Sequence, residues 1–315
     1  LKALELIKRQ KTSWSIEVLE FFLNQPVFIK ETNAKESDYE KELSFYPESG
    51  GEYDSGTVFK VKDDLGVRIF ESLGKSRERP SKTSKYWAYK GMTNPYKMVD
   101  EFLNTKTEVE DELVFTIDAS YTNILGFFRC EAEKIKIEII YDDEVKAVYE
   151  RDLIRESITN IYEYLANEVE LIHDFVMYIG YQLYGAKARI TLTRQNNIAK
   201  LGRVTKGIKY HLGETLWGAK NSFLDFSYIQ RDEDFGTVNM VRGNWAKRTD
   251  VSVVVDTAKY DLAMTRINQM LGKECIFILS EDYETLLIYG FLKEHETILK
   301  NPSKSYIDLT IEGMI

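Results

Sequence analysis

Apolar and polar positions alternate with a period of two along much of this chain, the pattern of strands that bury one face. From Glu108 onward, Val109, Leu113, Phe115 and Ile117 lead into residues 124–130, then to Ile135, Ile137 and Ile139, then to 145–149. Four short strands separated by turns predict a β-sandwich. Further strands are expected at 172–179 and 186–193. Upstream, residues 53–61 and 67–73 alternate too, and pair as a hairpin across a turn at 62–66.

Two segments read with helical spacing instead. Leu1, Leu4 and Ile7 recur at that spacing, and Ser15 stands where it would cap a run carrying Ile16, Leu19, Phe22 and Leu23, stopped by Pro26. This predicts a short helical N-terminal arm, with Leu4, Ile7, Leu19 and Phe22 as the face that folds back on the body or docks onto a neighbour. A docking arm of that kind would be removable without unfolding the body. Ile158, Ile161, Tyr162 and Leu165 fall on one stripe and predict a second helix over 157–166.

The character changes after His211. LGETLWG (212–218) reads as a turn, and residues 224–230 and 238–242 flank the loop RDEDFG as a hairpin. A buried strand follows at 250–256. Then comes a helix capped by Asp256 or Thr257, lined by Tyr260, Ala263, Met264, Ile267 and Leu271, and ended by Gly272. Strands at 274–279, 286–291 and 306–311 close the chain. The expected fold is mainly β: a jelly-roll-like β-sandwich domain, then a C-terminal α+β domain with one helix on an antiparallel sheet. The corresponding divisions are 1–50 (helical arm and linker), 51–84 (small β-hairpin unit), 85–210 (sandwich) and 211–315 (α+β).

At 315 residues the chain is long enough for two cores. Its formal net charge of −9 argues against non-specific nucleic-acid binding, which needs a basic face. No apolar run reaches the ~20 residues of a membrane span, and no signal peptide is visible, so folding in a cytoplasm is expected. Cys130 and Cys275 have no CxxC partner and read as reduced, half-buried thiols.

Motifs that carry chemistry are scarce. His173, His211 and His295 stand alone, without metal-ligand spacing, so no metal and no cofactor are expected. GxSxG, P-loop and dinucleotide fingerprints are missing from the sequence. The acidic loops Asp232, Glu233, Asp234 and Glu281, Asp282 could offer oxygens to calcium, or simply keep hairpin tips soluble. With 51 Asp and Glu, no carboxylate pair singles itself out for glycoside hydrolysis, and the chain does not read as an enzyme.

The densest stretch is KYWAYKGMTNPYKMVD, residues 85–100. Trp87, Tyr89, Asn94, Tyr96 and Asp100 could form a sugar site, with rings stacking on a pyranose and Asn and Asp bonding its hydroxyls. Alternatively Trp87 plugs the junction of two β units, which is the favoured reading because Trp is highly buried on average.

Tyr86-Trp87, Gly91-Met92-Thr93-Asn94 and the aromatic run to Asp100 resemble motifs of virion proteins of tailed bacteriophages, a family labelled as carrying a carbohydrate-binding module. So do Leu212-Gly213-Glu214-Thr215-Leu216-Trp217-Gly218, Asp225-Phe226-Ser227, Asp234-Phe235-Gly236 and Arg242. Glu281-Asp282-Tyr283, Tyr289-Gly290-Phe291 and Ile311-Glu312-Gly313 complete the series. The resemblance runs from about Tyr53 to the C-terminus. It implies a structural part of a tail, baseplate or neck, located in the virion. Its implied partners are other virion proteins, including copies of itself in a symmetric ring, and host surface glycan, with no nucleic acid and no membrane. The first ~50 residues depart from the family pattern.

Overall fold

Alternation becomes strand almost everywhere it was expected, and strands also form where a helix, a linker and a turn were expected. The computed structural model describes residues 15–155, 170–231, 238–280, 283–299 and 302–314. Leu4 and Ile7, the helix expected over 157–166, and the acids Asp232, Glu233, Asp234, Glu281 and Asp282 lie outside the described residues. The protein is mainly β, built from antiparallel sheets with one helix of 11 residues near the C-terminus.

Ser15–Leu23 is strand β1, not the second half of a helical arm. Its sequence, SIEVLEFFL, also alternates, with Leu19 and Phe21 on one side and Glu20 and Phe22 on the other. Neighbouring strands on both edges decide between the two periods. By backbone contacts the chain divides into Asn24–Ile208 and a second unit that joins β1 to the residues from Lys209 on.

In the unit Asn24–Ile208, chain order runs β2 (Ile29–Thr32), α1 (Asp38–Glu42), β3 (Val58–Lys62), β4 (Val67–Ser72), β5 (Trp87–Met92) and a 3-10 helix (Asn94–Val99). Then follow β6 (Thr107–Asp118), β7 (Ile124–Phe128), β8 (Lys134–Tyr141), β9 (Glu144–Asp152), β10 (Phe175–Tyr178), β11 (Lys187–Leu201) and β12 (Arg203–Gly207). One sheet has the order β2-β6-β11-β8-β9 and another β10-β7-β12. Register stacks Leu113, Leu192 and Ile135 in one row, Phe115, Ile190 and Ile137 in the next, and Ile117, Ala188 and Ile139 in a third. These rows share a core with Leu125, Phe127, Phe175, Met177 and Val204 of the smaller sheet. The unit is therefore a β-sandwich in the sense the alternation predicted. A third sheet, β3-β4-β5, carries a separate aromatic core.

The second unit contains β13 (Tyr210–Leu216), β14 (Lys220–Asp225), β15 (Tyr228–Arg231), β16 (Val238–Val241), β17 (Trp245–Asp256), α2 (Tyr260–Met270), β18 (Cys275–Ile278), β19 (Leu287–Ile298) and β20 (Lys304–Gly313). The segment read as a turn, 212–218, is mostly strand β13, because it lies between two partners, β1 and β17. Sheet order is β13-β1-β18-β19-β20-β17-β14. The additional pairing Glu214↔Val254 and Thr215↔Val253 returns β13 to β17 and closes six strands into a barrel. Gly213 permits that closure: a Cβ there would stand 2.6 Å from the Val254 carbonyl oxygen.

Leu19, Phe21, Val251, Val253, Phe277, Ile288, Ile307 and Leu309 fill the interior, with Ala263, Ile267 and Met270 of α2. Met270, rather than Leu271, completes the helix's buried face, since the chain leaves helical geometry at Leu271. Gly272 follows at φ +68, as the end signal requires. Neither expected cap makes a side-chain cap bond. The Asp256 carboxylate pairs with Lys304 at 2.8 Å, and the Thr257 hydroxyl bonds Ser305.

Candidate functional site

The aromatic stretch 85–100 folds as β5 followed by the 3-10 helix, whose start is set by Pro95. Trp87 is 3% exposed. Its indole lies within 5.7–6.4 Å, centroid to centroid, of Tyr46, Tyr53 and Phe59, all at steep interplanar angles, and its Nε1 donates to the Glu78 carbonyl at 2.9 Å. It is a plug in the core of the small sheet, with no ring face left for a sugar.

The other four expected site residues are also held internally. Asp100 is buried, and its carboxylate accepts from the Tyr89 hydroxyl, the Met92 amide (3.0 Å) and the Glu101 amide (2.7 Å). Burial, then that hydrogen bond and the carboxylate's charge, push the Tyr89 phenol well above its ordinary range. Phe102 stacks on the Tyr89 ring and Lys82 covers it at 4.4 Å. Asn94 spends its amide on backbone: Nδ2 donates to Lys35 and Glu108 carbonyls, and Oδ1 accepts from the Glu108 amide. Tyr96 lies flat over Gly66, where a Cβ would meet its ring at 2.4 Å. Buried Glu40 accepts from the Asn94 amide at 3.1 Å and tethers α1 to the same knot. Polar residues and rings are here dense because they fix a chain crossing. They do not converge on an open site.

The assembly face fares similarly. Leu19 and Phe22 are each 0% exposed, held in β1 between β13 and β18, so neither is available to a neighbour.

Two features of the second unit are open. One is a cleft of about 620 Å³ between the β13–β14 junction and the outer face of β17, β20 and β19. Trp217, 69% exposed, stands at its wall. Register lays out a polar floor in two rows, Glu294, Thr310, Asp250 and Glu296, Asp308, Ser252. Thr310 donates to Asp250 at 2.8 Å, and Ser252 donates to Asp308. Lys220 and His295 also line it. Sequence reading passed over this site, because its floor joins Asp250 and Ser252 to residues of β19 and β20 more than forty positions further on. Trp217 had been assigned to a turn. The period-two polar face of β20, Asp308 and Thr310 between buried neighbours, was the available signal.

The other open feature is a ribbon. The β14–β17 ladder and the β15–β16 ladder are joined by the Phe226 amide bonded to the Asn244 carbonyl at 2.9 Å. Phe223, Phe226, Tyr228, Ile229, Val238, Met240 and Trp245 are all exposed along it. Phe223 and Trp245 pack edge to face at 5.2 Å.

Among the described residues no group of His, Cys, Asp or Glu is placed to hold a metal ion. His173 Nδ1 lies 2.7 Å from the Cys130 carbonyl, and His211 pairs with Glu20. Both cysteines are buried and free; burial pushes the Cys130 thiol far above its usual value and that of Cys275 up to about 12. Among the described residues no helix is long and apolar enough to cross a membrane. Comparison of the chain with protein-family models, with curated proteins and with solved structures returns no significant match.

Proposed function

We propose that this protein is a structural component of a tailed-bacteriophage virion, in the tail, baseplate or neck, acting through protein–protein contacts. The observation that carries the reading is the ribbon. A two-stranded hairpin is marginally stable in water by itself, and this one exposes large apolar side chains with only its base in a core. Ile229 and Met240, 60% and 66% exposed, face each other across it. Such a surface fits a part that is finished by its neighbours in an assembly. The sequence resemblance supplies the class of assembly.

The test is incorporation. A protein carrying Ile229→Asp with Met240→Lys is expected to keep its circular-dichroism spectrum and melting midpoint, because both side chains are outside the barrel core. It should be lost from purified particles. Normal occupancy of the particle by this variant would remove the ribbon as the assembly element.

A second reading, recognition of a host surface glycan, is favoured by the Trp217 cleft and not by Trp87. An exposed indole beside carboxylates and hydroxyls is the arrangement that stacks on a pyranose and bonds its hydroxyls. On a glycan array, any bound saccharide should be lost with Trp217→Ala and retained with Trp87→Phe. Binding that survives Trp217→Ala would exclude the cleft.

A further inference from the structure

We infer that β14 pairs edge to edge with β14 of a second copy, related by a two-fold axis, so that two barrels share one continuous antiparallel sheet. The inference rests on the assembly reading above and names one of its partners. β14 is the terminal strand of its sheet; among the described residues it pairs with β17 alone. Nearly all of it is exposed, from Lys220 to Asp225. A strand edge presents a row of unpaired amides and carbonyls and is a template for another strand. Protected edges carry an inward-pointing charge, a proline or a bulge. KNSFLD has none of these along its centre.

The sequence of the edge selects the occupant. Its one cation, Lys220, opens the strand and its one anion, Asp225, ends it. Antiparallel pairing with a copy of itself brings the Lys220 end of each strand to the Asp225 end of the other, with the two side chains on opposite faces of the sheet. Parallel pairing would place like charges together. A two-fold axis perpendicular to the sheet requires facing residues to belong to the same alternating set, because side chains alternate between faces. Centring it on Phe223 satisfies this: Phe223 faces its own copy, and Asn221 faces Asp225, an amide donor opposite a carboxylate. Asp225 accepts the Ser227 amide at 2.8 Å, and Asn221 Nδ2, which directs one hydrogen to the Thr285 carbonyl at 3.4 Å, carries a second for the carboxylate of the other copy. Phe223 already packs on Trp245, so the symmetric pair would join two exposed aromatic pairs into a four-ring cluster. This is an isologous contact, closed at two copies.

Mass by multi-angle light scattering, with the purified full chain at about 100 µM, tests it. The expected result is twice the chain mass. Phe223→Lys should give monomer, since two ammonium groups would meet at the axis. Because Phe223 is 57% exposed, the monomer should keep the circular-dichroism spectrum of the folded chain. Asn221→Asp should weaken the dimer about tenfold, because two carboxylates would then face each other at each end of the pair, and Asn221→Asp with Asp225→Asn should restore it. A wild-type monomer, or a dimer indifferent to Phe223→Lys, overturns the proposal. So does a monomer whose β14 amides are protected from hydrogen exchange, which would mean that another segment occupies the edge. Failure here leaves the Ile229 and Met240 incorporation result intact, so the two readings fall separately.

Discussion

Removing Ser15–Leu23 is expected to unfold the barrel unit outright. Leu19, Phe21 and Phe22 are each 0% exposed. At about 2 kcal/mol per fully buried side chain they represent roughly 6 kcal/mol. The strand also holds two ladders, to β13 and to β18, and its loss would open the barrel at two seams. A domain's whole stability is about 5–15 kcal/mol. The truncated chain should therefore show one cooperative unfolding transition fewer by calorimetry, and rapid proteolysis after Lys209. A docking arm would behave oppositely, leaving the body folded and blocking assembly alone. Two preserved transitions in the truncated chain would reinstate the arm.

Replacing Trp87 by alanine should cost about 3–5 kcal/mol, read as a shift of the urea midpoint at constant slope. The indole contacts three rings and fills the centre of the β3-β4-β5 core. Its Nε1 bond to the Glu78 carbonyl also ties the loop before β5 to the sheet. Trp87→Phe keeps most of the ring contact and loses the hydrogen bond, for about 1–2 kcal/mol. A loss below about 1 kcal/mol for the alanine variant would show that the cluster collapses around the gap.

Where one face of a strand meets solvent or a shallow layer, alternation was sufficient to read it. β6, β8 and β11 lie where Val109 to Ile117, Ile135 to Ile139 and 186–193 placed them, and β17, α2, β18, β19 and β20 follow in the expected order. β1 was misread because its apolar residues satisfy both periods: Leu19 and Phe22 are three apart, Leu19 and Phe21 two apart. Only partners that arrive some two hundred residues later resolve the ambiguity. The same distance hid the unit's composition, since no local signal says that residue 21 pairs with residue 277. In the candidate site, residue type was legible and orientation was not. Trp, Tyr, Asn and Asp are the residues of a sugar platform and equally of a packed crossing, and burial separates them. The cleft was invisible for the complementary reason: Trp217, Asp250, Glu294 and Asp308 become neighbours only through cross-strand register.

The discontinuous barrel also sets an order of events during synthesis. β1 leaves the ribosome well before its partners, with β13 about 190 residues behind it and β18 about 250. At roughly 5–20 residues per second, the apolar strand waits for about ten seconds or more while the sandwich between them is made and folds. Of the two units the barrel is therefore the later to close, and the nine-residue strand β1 is the segment most in need of shielding before it does.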